Sequence, residues 1–288
     1  MQGTVDGFSY GVVTPLVAYL MACLGGALGL RCTTRAMLVA HSWRPAWLAL
    51  GSAAIGSGIW TMHFVAMMGF SVKETPIQYD KPLTYASLGL AIVMVGVGIF
   101  IVGYRGATGT ALFTGGTITG LGIASMHYLG MAGLRLNGTL EYNTLTVAAS
   151  VVIGVVAATS ALWAAGQIRG FLWSVGASLV MGLAVSGMHY TGMAALDVHL
   201  HGSGVTGPGD SPASLLAPML IGPLAFLCLA AVVVIFDPLM VTGKPDRLRV
   251  EHKAGVPAAD VTHHPSRRLS PRVGRQQSHH SSRTPQNR

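Results

Sequence analysis

The sequence has 288 residues, 51% of them apolar and only 10% charged, with a mean hydropathy of +0.55. A soluble domain carries roughly 25% charged residues, so this composition excludes an ordinary soluble protein and points to a chain built for a bilayer. The net charge of +8 does not argue for a nucleic-acid partner, because ten of the 18 Lys and Arg residues lie after Asp237 and the basic character belongs to the tail.

Residues 1–10 contain Asp6 and no Lys or Arg, so they lack the basic start of a secretory signal, and the first apolar run reads as a retained span. Apolar stretches long enough to cross a hydrocarbon core of about 30 Å as helix occupy approximately 11–30, 46–70, 83–103, 110–134, 144–165, 171–196 and 215–236. The expected fold is therefore all-α: a polytopic membrane protein with seven transmembrane helices. Cys23, Cys32 and Cys228 form no CxxC and no cluster, and they read as small buried hydrophobes without a disulfide. The abundant glycines read as devices for close helix packing, since neither a P-loop nor a strand-borne GxGxxG is present.

Loops after spans 1, 3 and 5 hold Arg31, Arg35, Arg44, Arg105 and Arg169 without an acidic residue, whereas Lys73, Lys81 and Arg135 are the basic residues of the opposite side. With the tail included, the split is 15 against 3. The positive-inside rule then places the N-terminus outside and the C-terminus in the cytoplasm of a multi-pass protein of the cell membrane. After Phe236 the composition turns to Pro, Ser, His, Arg and Gln, so residues 237–288 read as a basic, disordered cytoplasmic tail following a membrane domain over 1–236.

Three spans end in related words: Met62-His63-Phe64 through Met67, Met126-His127-Tyr128 through Met131, and Met188-His189-Tyr190 through Met193. The histidines are 64 and 62 residues apart, the length of two spans with their loops. The chain thus reads as three tandem two-helix repeats, about 11–70, 83–134 and 144–196, plus a seventh helix over 215–236. Units with an even number of spans enter the membrane in the same sense, so the repeats are parallel and the three motifs share one depth, in the outer leaflet.

On a helix, His and the Met four residues later share a face. That pairs His63 with Met67, His127 with Met131 and His189 with Met193, while the leading Met62, Met126 and Met188 flank the same groove. Imidazole and thioether donors with no carboxylate suit copper, with haem iron the second candidate. Seven of the 14 methionines lie in or beside the motifs, and an ionisable residue inside a span is a functional-site hypothesis by default. His199 and His201, an HxH pair in the loop at 197–214, read as solvated histidines.

Motif, repeat number, interval and topology together resemble the MHYT domain family of bacterial integral membrane sensors, over residues of about 10 to 237. The resemblance implies copper bound near the outer face and a diatomic gas, oxygen, carbon monoxide or nitric oxide, as the sensed ligand. Carried over by position, it implies a metal set of Met62, His63 and Met67, then Met126, His127, Tyr128 and Met131, then Met188, His189, Tyr190 and Met193. Phe64 departs from the family tyrosine, which excludes a phenol role in the first repeat, and only the third repeat has the motif threonine, Thr191. Family members often carry a cyclic-di-GMP synthase or phosphodiesterase module, and no such sequence follows the last span here. The expectation is a sensor without catalytic residues, partnered by the lipid bilayer and by a separate cytoplasmic signalling protein. The alternative is a copper transport or metal-handling membrane protein, which needs a polar path that the inner halves of the motif spans do not supply.

Overall fold

The computed structural model describes residues 3–7, 9–72, 74–167, 171–200 and 211–237. The tail beyond Asp237 therefore lies outside the described residues, as do Lys73, Arg169 and His201. Among the described residues seven helices make up the fold: α1 (Val13–Leu38), α2 (Arg44–Met68), α3 (Lys81–Arg105), α4 (Gly109–Ala132), α5 (Thr144–Gln167), α6 (Phe171–Met193) and α7 (Pro212–Ile235). Six are apolar and long enough to span a membrane. The remaining one, α4, has 24 residues, and its glycines, threonines and histidine lower its hydropathy rather than its length.

Each of α1 to α6 packs on the next, and α6 packs back on α1, so the first six helices close into a ring. Within the ring α2, α4 and α6 also touch one another. These are the motif helices, and α2 is the most deeply set: every residue from 56 to 67 is buried, whereas α4 and α6 also present exposed apolar residues such as Phe113 and Leu183. A helix buried all round needs apolar or small residues on every face, which explains its weak amphipathic pattern. The seventh helix lies outside the ring against α2 and α1, where Leu227, Ala230 and Val234 meet Leu28, Cys32 and Ala54.

The all-α reading holds for the membrane part, but one end of the bundle carries three short antiparallel ladders that the sequence reading did not foresee. Strand β1 (Val5–Asp6) pairs with β2 (Ser71–Val72), β3 (Gln78–Tyr79) with β4 (Leu134–Arg135), and β5 (Gly138–Tyr142) with β6 (Leu196–Leu200). In every case the strand entering a repeat pairs with the strand leaving it, so each repeat is a helical hairpin closed by its own ladder. Beside each ladder the same backbone bond recurs: Ser9, Asp80 and Asn143 donate to the carbonyls of Gly69, Gly133 and Ala195 at 3.0, 2.8 and 2.8 Å. All three acceptors stand six residues after a motif histidine. The recurrence ties each motif helix to the same height.

Helix α1 runs eight residues past the expected end at 30, to Leu38. Hydropathy falls there at Arg31, Thr33, Thr34 and Arg35, but the helix continues because Thr33 and Thr34 donate their hydroxyls to the carbonyls of Gly29 and Leu30. Arg35 is held by Asp237 at 2.7 Å, and the pair joins the ends of α1 and α7 away from the ladders. Of the cysteines, Cys23 and Cys32 are buried as expected, whereas Cys228 is exposed on α7, and all three are free.

Asp80 caps α3 by accepting from the Leu83 N–H at 3.1 Å, and it pairs with Arg135 of β4 at 3.0 Å. The Leu83 N–H first and the Arg135 guanidinium second hold its carboxyl below the ordinary carboxylate range. A depressed value contributes stability above the unfolded pKa of about 3.9, and that stability is lost as pH falls through the folded value. The thermal midpoint of wild type should therefore exceed that of Asp80→Asn at neutral pH, and the difference should vanish under acid. A difference that persists unchanged at low pH would contradict this assignment.

Candidate functional site

The three motif histidines meet at the centre of the ring. Nδ1 of His63 lies 3.0 Å from Nδ1 of His189 and 3.2 Å from Nδ1 of His127, and the third edge, His127 to His189, is 3.3 Å. The rings stand nearly perpendicular to one another, at 78 to 87°, like the blades of a propeller. All three side chains are buried, between 1 and 2% exposed. Sequence placed the histidines at one depth; the structure brings them into one site rather than three.

Hydrogen bonds cannot form along all three edges of such a triangle. The Nδ1 of a neutral imidazole carries either a proton or a lone pair. With two states and three corners, at least one edge always joins two donors or two acceptors. Three lone pairs directed at a shared cation remove the conflict. Nitrogens held about 2.0–2.1 Å from a single zinc or similar first-row ion at tetrahedral angles stand about 3.3 Å apart, and the observed edges of 3.0 to 3.3 Å fit. His63, His127 and His189 are also the group of potential metal donors that converges among the described residues.

The outer edges of the rings explain the small residue three positions after each histidine. A Cβ on Gly130 would stand 2.8 Å from Nε2 of His63, and one on Gly192 would stand 2.6 Å from Nε2 of His127. The imidazoles of His63 and His127 are therefore each seated against the next motif helix where that helix has no side chain. Nε2 of His63 and of His127 is buried without a hydrogen-bond partner, so these rings are held by packing and by whatever Nδ1 meets. The matching position in the first repeat is Ala66. Sequence reading included this small residue in the motif without giving it a role, and its recurrence at His plus three was the available signal.

The motif aromatics brace the triad. Phe64, Tyr128 and Tyr190 each lie edge-on to their own histidine, with centroids 4.6, 4.8 and 4.9 Å away. The Tyr128 hydroxyl bonds Ser150 Oγ of α5 at 2.7 Å, and Tyr142 of β5 packs against the Tyr128 ring at 5.8 Å. Burial pushes the Tyr142 phenol up to about 12, the neighbouring Tyr128 adding to the effect. In the first repeat, where Phe64 has no hydroxyl, bracing comes from Trp60, which sequence reading passed over. Its ring lies 4.6 Å from Phe64, and its indole N–H donates to Ser87 Oγ at 3.0 Å.

Met62, Met67, Met126, Met131 and Met188 are buried at 0 to 1% exposure, and Met193 is half-buried. Of the leading methionines, Met188 is positioned by α5, where a Cβ on Gly154 would meet its Cγ at 3.6 Å. His199 lies on β6, 3.5 Å from Glu141 of β5, at the exposed end of the ladder.

A family model described as MHYT, the N-terminal repeat of bacterial signalling proteins, matches residues 56–115 and 120–178. His63 and His127 fall within the matched segments and His189 beyond them, although the structure makes it the third corner of the same site. The chain is 37% identical over 236 residues to the bifunctional diguanylate cyclase/cyclic di-GMP phosphodiesterase MucR of Pseudomonas aeruginosa, covering 80% of this chain and 34% of that protein. It is 34% identical over 206 residues to the cyclic di-GMP phosphodiesterase NbdA of the same organism, covering 68% and 26%. It is 30% identical over 198 residues to the signalling protein YkoW of Bacillus subtilis, covering 66% and 24%. The chain thus spans about a third or less of the length of these curated relatives. No solved structure matches it.

If the seats at Gly130 and Gly192 set the triad, Gly130→Val and Gly192→Val should each displace one imidazole and weaken retention of any ion loaded onto the triad, while Ala66→Gly should be tolerated. Metal content of purified, monodisperse variants checks this. Full retention in both valine variants would contradict it.

Proposed function

The membrane region of this chain belongs to the MHYT family of bacterial signalling proteins, and from that premise we propose that it is a membrane sensor whose sensing centre is one metal ion held by His63, His127 and His189. The observation that carries the reading is the buried triangle of Nδ1 atoms, whose three edges cannot all be hydrogen bonds under any choice of tautomers. Copper suits the surroundings best, because imidazoles converge there, methionine thioethers pack around the motif helices, and none of the converging groups is a carboxylate. Such an ion supplies a coordination position that a diatomic gas can occupy, or a redox state that can change. Tyr128, Tyr190 and the methionines of the motifs stand as supporting or additional donors.

What the chain itself contributes is position and exclusion. Burial keeps water from the imidazoles, the glycine seats fix the rings of His63 and His127, and the ladders hold three helices at one height. Directly beyond the triad, one turn earlier on each motif helix, lie Ile59, Ile123 and Val185, all 2 to 3% exposed. This apolar layer opposes ion passage along the axis and favours sensing over copper transport. The positive-inside distribution supports the ladder end facing outward and the Arg35–Asp237 end facing the cytoplasm, where a separate signalling partner receives the output. The proposed role is input, without catalysis by this chain.

Copper-loaded protein, assayed by elemental mass spectrometry, should hold one ion per chain. Each of His63→Ala, His127→Ala and His189→Ala should lose it almost entirely, because all three corners belong to one site. Three ions per chain, or two-thirds of the metal surviving each substitution, would mean three separate sites. No copper in wild type after loading would overturn the ligand reading.

A further inference from the structure

Below the triad, on the side away from the ladders, the ring does not fill its own centre. A cavity of about 30 Å³ there is lined by residues from all of α1 to α6, which places it on the axis of the ring. Its roof is the layer one turn from the histidines, Ile59, Ile123 and Val185. Its walls are apolar except for Thr33 and Thr119. Both hydroxyls are engaged by the backbone: Thr33 donates to the Gly29 carbonyl at 2.9 Å, and Thr119 to the Met94 carbonyl at 3.4 Å.

The cause of the space is an asymmetry between repeats. Where α3 lines the chamber with Val95 and Ile99, α5 contributes four alanines together with Leu162. A water molecule needs roughly 10–15 Å³ of such space and two to four polar partners to stay. The chamber offers the room and withholds the partners. Its size is that of about two water-sized atoms, and ions are excluded by the cost of burying charge without a counter-group.

We infer that this chamber is a dry binding site for one small, uncharged, apolar molecule of diatomic size, reached through the lipid-facing bundle rather than from water. Its occupant lies one helical turn from the histidines, where it bears on Ile59, Ile123 and Val185 and so on the helices that aim the imidazoles. The chamber's part in signalling rests on the sensing reading above; its existence as a site does not, because no lining residue is a proposed metal ligand.

Xenon is the probe, applied to the full chain in lipid nanodiscs with empty nanodiscs as the background. Wild type should show saturable xenon binding by xenon-129 magnetic resonance. Ala158→Leu, which fills the chamber from α5, should abolish it, and Leu162→Ala, which enlarges the chamber, should strengthen it. Absence of saturable binding in both wild type and Leu162→Ala would overturn the inference, as would binding in a folded Ala158→Leu equal to wild type. Copper content measured on the same samples separates the two readings. Copper kept by Ala158→Leu while xenon is lost supports a site distinct from the triad. Copper absent throughout with xenon binding intact would overturn the metal reading and support this one.

Discussion

Three imidazoles facing one another in a dry interior form the constraint on which this structure depends. Their Nδ1 atoms stand 3.0 to 3.3 Å apart, and no assignment of neutral tautomers satisfies all three contacts. A fold that holds such a triangle must overcome both desolvation and like-with-like contact. It does so by threefold repetition: each helical hairpin delivers one histidine, and each is closed by a ladder and by the same backbone bond six residues after that histidine. Three weakly held groups become one strongly placed set because every repeat solves the same local problem at the same height.

Much of this was legible in the sequence. The repeat length, the span count and the equivalence of the histidines follow from spacing and hydropathy, and the parallel sense of the repeats follows from their even number of spans. Convergence into one site does not follow, because equal depth is compatible with three sites a helix diameter apart. Closure of the ring decides it, through contacts between α6 and α1 that no local pattern announces. The seats at Gly130 and Gly192 were visible as small residues but not interpretable, since their partner lies on another helix. Trp60 has no counterpart in the other repeats, so comparison of copies could not find it. The ladders were missed because two-residue strands carry no periodicity, although Leu196, Val198 and Leu200 of β6 do alternate.

Other differences have simple physical causes. Helix α1 outruns its apolar stretch because threonine hydroxyls can bond the preceding turn and because Arg35 meets Asp237. Helix α4 is poor in hydropathy but sits in the ring like its equivalents, its glycines meeting α3 and α5 closely while Phe113 and Leu121 stay exposed. The same packing separates the ladder end from the far end of the bundle. Under the proposed sensing role, a change at the triad would travel through packed helices, crossing first the axial layer of Ile59, Ile123 and Val185 with the chamber behind it.

A sensing centre built this way requires that His63, His127 and His189 bind a single ion together. X-ray absorption at the copper edge of the loaded, membrane-reconstituted protein tests this most directly, because imidazole ligands leave a distinct outer-shell scattering pattern. The account predicts a nitrogen shell at about 2.0 Å with the scattering of three imidazoles around each copper. A spectrum with one imidazole per copper, or with sulfur as the main shell and no imidazole pattern, would contradict it.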